Sequence, residues 1–201
     1  MENPQQASER ARAIAREVLV EAFGASATPF VPVPFVDDWM LARLLRRIAA
    51  KVLARHGLTS PPDLPRVIVD AYVEEGSSSL ARSVAVGAAR FIVRKLAIVL
   101  DVKKSYDVFG QTIVFALALD LAAARGWLHE ASAERVGAAV HRTMQLVGSG
   151  AIESLGRAGR TAYAKGGPRQ LGDAIAAEVD RTRALLEPVL RQALKISDSY
   201  T

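Results

Sequence analysis

The sequence predicts an all-α protein, a single-domain bundle of seven to eight helices around two central apolar helices. Three observations predict it. Apolar residues recur at three- and four-residue steps in most segments. Glycines and prolines punctuate those segments at about helix length. Two longer stretches, Leu80 to Leu100 and Val108 to Ala124, are apolar enough to form the centre of a bundle. With 201 residues, half of them apolar, the chain can build one substantial core, and without cysteine it must hold that core by packing alone. Residues 1–28 read as an N-terminal surface helix and linker, 29–167 as the helical core, and 168–201 as an amphipathic helix packed on the core or on a partner.

Taken in order, Ala11, Ile14, Ala15, Val18 and Ala22 form one buried stripe of a helix from Ser8 to Phe23, with Ser8 as N-cap and Gly24 as stop. Pro29, Pro32 and Pro34 then exclude helix and carry Phe30, Val31, Val33 and Phe35 on extended backbone. Asp37 and Asp38 open a second helix to His56. Its buried stripe is Leu41, Leu44, Leu45, Ile48 and Val52, Arg43, Arg46 and Arg47 point the opposite way, and Gly57 is the left-handed cap. Pro61 and Pro62 mark a turn, and Pro65 enters a short helix that stops at Gly76. Ser77 to Ser79 cap the long helix to Leu100, and a break is expected near Ser105 in the charged run Asp101 to Asp107.

Val108 to Ala124 follows as a buried helix capped by Gly126, with Trp127 folding back over its end. A sixth helix starts near Ser132 and loses definition in the glycines from Gly148 to Gly159, and through Gly167 the chain reads as a segment of low order or a helical turn with small-residue packing. After Pro168 the positions Ile175, Val179, Thr182, Leu186, Val189, Ala193 and Ile196 alternate four and three apart, a coiled-coil-like seam that Pro188 should kink.

The formal charge is +5 and arginine outnumbers lysine 20 to 6, a balance that fits an Arg- and Ala-rich bacterial proteome and attraction to anionic surfaces. No apolar signal segment follows the N-terminus, so the expected location is the cytoplasm, with possible contact to the inner face of the cell membrane. Val108 to Ala124 has 17 residues against the roughly 20 needed to cross a bilayer, so a core helix is the better reading than a span. The cations expected to meet an anionic or membrane surface are Arg43, Arg46, Arg47, Lys51, Arg90, Arg94, Lys95, Lys103 and Lys104. Ile175, Val179, Leu186, Val189 and Ile196 are the candidates for a seam against a protein partner or a second copy.

Signals for chemistry are weak. His56, His129 and His141 are far apart without HExxH spacing, so no metal is expected, and no motif calls for a cofactor. Ser149 between two glycines follows a helix, where a nucleophile elbow needs a strand. The glycines from Gly148 to Gly156 lack the ending of a phosphate loop, although Arg157, Arg160, Lys165 and Arg169 nearby form a weak anion site. Asp101, Asp107 and Asp120 lie in or beside apolar helices and need partners, for which Arg94, Lys103 or Lys104 are available. Nucleic acid ranks behind a membrane surface and a protein partner, because no helix-turn-helix or RNP-like pattern occurs.

The segment Val31 to Gly57 joins a hydrophobic-Pro-hydrophobic-Pro run, Val33-Pro34-Phe35-Val36-Asp37, to a helix of leucines and arginines ending in Arg55-His56-Gly57. It resembles the opening of uncharacterised EcsC-type helical domains and the similar helical domain appended to some bacterial GTPases. His56 stands where that pattern has an aromatic residue, and the glycine-rich apolar hairpin that closes such domains is missing. The resemblance implies membrane association without known catalysis. The expected function is therefore a non-enzymatic protein that docks peripherally through its basic faces, with a soluble oligomerising scaffold as the alternative.

Overall fold

Helix formation begins ahead of Ser8. Asn3 is the N-cap, its side-chain oxygen accepting from the Gln5 amide at 3.0 Å, and Pro4 takes the first helical position, where a missing N–H costs nothing. The computed structural model describes residues 3–27, 36–81, 97–166 and 175–195, and these form an all-α bundle of eight helices with no strand among them. The helices are α1 Pro4–Glu17, α2 Leu19–Ser26, α3 Val36–Arg55, α4 Leu64–Ala81, α5 Ala97–Ala124, α6 Trp127–Glu130, α7 Ala133–Gly166 and α8 Ala176–Leu194. The proline-punctuated lead-in to α3 lies outside the described residues.

Helix α5 is the centre. From Val108 to Ala122 every residue but Gln111 is buried, and 83% of its most apolar window is inside the fold, so the one described helix apolar enough to cross a bilayer is a core helix. Helices α1, α2, α3, α7 and α8 pack around it, with α4 on α3 and α7. The closest approach is between α5 and α7: a Cβ on Gly110 would lie 2.2 Å from the Ile152 carbonyl oxygen, and one on Gly156 would lie 2.6 Å from that of Tyr106. Small residues let these two backbones touch, and that contact compensates for the poor helix propensity of glycine. Gly57 is left-handed at φ 73, and Leu58 donates to the Leu53 carbonyl at 2.9 Å while packing on the core, the expected cap.

Several expectations are corrected. The helix does not break near Ser105. Asp101 to Asp107 contains no glycine or proline, and the Ser105 hydroxyl turns inward to donate to the Ser26 carbonyl, so α5 continues through the charged run. Gly76 is no stop either, since α4 continues to Ala81 and the His141 ring occupies the space where a Cβ would go. The N-terminal helix is two helices, broken at Val18, and Gly24 lies inside the second. The glycine-rich stretch after Gly148 is helical, with Gly148 alone in a non-helical conformation at φ 79 and ψ 170. Pro188 is carried within a continuous α8, on its exposed side. The expected central partner Leu80 to Leu100 lies mostly outside the described residues, and among those described the neighbour lying closest along α5 is α7.

Candidate functional site

The exposed face of α3 is the first candidate. At 3.6 residues per turn Trp39, Arg43 and Arg47 stand one above another, and all three are exposed, with Trp39 57% accessible. The Arg43 guanidinium lies 5.4 Å from the Trp39 ring centroid, a cation–π contact. The other two predicted cations of this helix are engaged within the fold. Arg46 donates to Asp70 at 2.6 Å and Lys51 lies 2.7 Å from Glu21, on the neighbouring helices α4 and α2. Asp70 is held below the usual carboxylate range. Burial would raise it, but the hydrogen bonds and charges of Arg46 and Arg66 outweigh that effect. Arg90, Arg94 and Lys95 lie outside the described residues. Lys103 and Lys104 are on the first half of α5, and their side chains are not among those described.

The predicted partner seam is placed differently. Ile175, Val179 and Leu186 are fully buried against the chain's own core, Val189 is half-buried, and Ile196 lies outside the described residues. The buried positions of this C-terminal segment are Ile175, Val179, Thr182, Leu186, Leu190 and Leu194, so beyond Leu186 the step is four and the three-four alternation ends. A heptad would have put Val189 and Ala193 inside; a period nearer 3.6 fits a helix lying on a globular core. Ile175, Val179 and Leu186 are therefore core residues of the chain's own fold. Arg12 and Ser8 of α1 both reach Asp180 of α8, which ties the two chain ends together.

One polar cluster escaped the sequence. Asp120, only 1% exposed, accepts from Arg10 Nε at 3.1 Å and faces His56 Nε2 at 2.8 Å. Its carboxyl lies below its ordinary value, because the His56 hydrogen bond and the Arg10 charge outweigh the burial that would raise it. The partners expected from neighbouring sequence, Arg94, Lys103 or Lys104, are not these. Arg10 and His56 come from 110 and 64 residues away, and no local pattern announces them. Both carboxylate oxygens are engaged, so the cluster reads as a buried clasp joining α1, the end of α3 and α5.

A cavity of about 380 Å³ lies between α4, α5 and α7, lined by Tyr72, Gln111, His141, Gln145 and Ser149 among others. The Tyr72 hydroxyl donates to the Met144 sulfur at 3.1 Å, and burial pushes its pKa up. Burial lowers the pKa of His141 despite nearby Glu75, its Nε2 lies 3.1 Å from Gln145 Nε2, and its Nδ1 is buried against Gly76 without a hydrogen bond. Ser149 is exposed on α7 just past Gly148. Among the described residues, no group of three or more His, Asp or Glu side chains could hold a metal ion. Comparison with protein-family models, with curated proteins and with solved structures finds no match.

Proposed function

We propose that this protein is a non-enzymatic helical protein that docks peripherally on an anionic membrane surface through the outer face of α3. The observation that supports this reading is the exposed Trp39–Arg43–Arg47 column. An indole belongs at the depth of lipid headgroups, and two guanidinium groups beside it meet phosphates. Of the four cations proposed from sequence on α3, Arg43 and Arg47 are the two this reading uses. The resemblance of Val31 to Gly57 to EcsC-type domains implies membrane association as well.

Each cation near an anionic leaflet contributes about 1 kcal/mol, so R43A/R47A should weaken binding by about 2 kcal/mol, roughly thirtyfold in partitioning. Flotation with vesicles of phosphatidylcholine alone or with phosphatidylglycerol tests this. The wild-type chain should float with anionic vesicles at low salt, and W39A and R43A/R47A should stay behind. Equal recovery of wild-type protein in the soluble fraction with both vesicle types defeats the reading.

A further inference from the structure

A second cavity, of about 280 Å³, lies between α2, α5 and α7 and carries chemistry that the α3 face does not use. Its walls are the rings of Phe23, Tyr106 and Phe109, with Phe23 and Phe109 5.1 Å apart between centroids. Beside the Tyr106 phenol two serine hydroxyls line it, and both are engaged within the protein: Ser26 donates to the Phe23 carbonyl at 2.8 Å, and Ser105 donates to the Ser26 carbonyl. With both serine hydroxyls satisfied inside the protein, the wall is mostly apolar. The charged group at the site is Arg160, whose guanidinium lies 5.3 Å from the Tyr106 ring centroid. Among the described residues no carboxylate pairs with it. Asp107 and Glu153 line a separate small cavity with Arg157 and Tyr106.

An apolar aromatic chamber with one exposed guanidinium is complementary to an amphiphile that has an apolar tail and an anionic head. A tail alone would leave the guanidinium unused, and a compact ion such as inorganic phosphate would leave the chamber unfilled. We infer that this cavity binds a short-chain monoanionic amphiphile of the fatty-carboxylate class, its tail along the wall that the Phe23, Tyr106 and Phe109 rings form and its carboxylate on Arg160 in the bidentate geometry that guanidinium groups favour. The volume, at the small end for ligand sites, limits the tail to about eight carbons. The site is separate from the α3 face and stands whether or not that face docks on a membrane.

The test uses octanoate and octanol with the full chain, followed by amide NMR and calorimetry. Octanoate should shift the Gly156 and Gly159 amides, which sit in the cavity wall. R160A, an exposed change that leaves the core untouched, should weaken octanoate binding about fivefold or more and leave the weaker octanol binding unchanged, while R160K should retain most of it. Absence of Gly156 and Gly159 shifts with octanoate overturns the proposal, as does an R160A variant that binds octanoate as well as the wild type. Vesicle flotation of R160A separates the two readings, because it should match the wild type.

Discussion

At the scale of single residues, Asp120 is where a small change should have the largest effect. It is a buried carboxylate between Arg10 and His56, and removing its charge takes the Asp120 ion pair from a partly buried Arg10. Breaking such a pair costs about 3 kcal/mol, so D120N should lower the urea midpoint by a corresponding amount with the slope unchanged. The pH dependence follows from the direction of its pKa. The folded value lies below the unfolded one, so the contribution is complete above about pH 4 and is lost as pH falls through the folded value. The stability gap between wild type and D120N should therefore shrink in acid; urea curves at a series of pH values measure it. That Asp120 needed a partner was legible from its apolar helix. Which partner it found was not, because Arg10 and His56 are brought to it only when α1 and α3 close on α5.

At the scale of elements, the α5–α7 crossing sets how tightly the bundle closes. G110A would put a methyl group 2.2 Å from the Ile152 carbonyl oxygen, which is backbone and cannot rotate away. Overpacking of that kind costs about 2–3 kcal/mol, so the melting temperature should fall by about 4–12 °C in a calorimetric scan. Gly126 and Gly57 were readable as helix ends because their left-handed φ is a local requirement. Gly76 was misread by the same rule, whereas the run from Gly148 to Gly159 left two readings open and takes the helical one with small-residue packing. At Gly76, Gly156 and Gly159 glycine serves close approach between helices, and the neighbour that makes it necessary lies far away in sequence.

At the scale of the whole molecule, α8 decides between a bundle that completes itself and one that waits for a partner. Its apolar face covers α1, α5 and α7. V179D/L186D should therefore abolish cooperative unfolding and near-UV circular dichroism. An oligomer interface would instead yield a folded monomer by sedimentation, and that result would reverse the assignment. Sequence by itself determined the all-α class, the burial of Val108 to Ala124, the stripes of α1 and α3 and the basic outer face of α3, because helical periodicity and polarity act within a turn or two. Tertiary structure alone decided that Arg46 and Lys51 are tied down while Arg43 and Arg47 stay exposed, that Asp120 pairs with Arg10 and His56, and that the C-terminal seam faces inward. Each of these depends on which surfaces meet across long stretches of chain, and a residue's own neighbours in sequence carry no record of that.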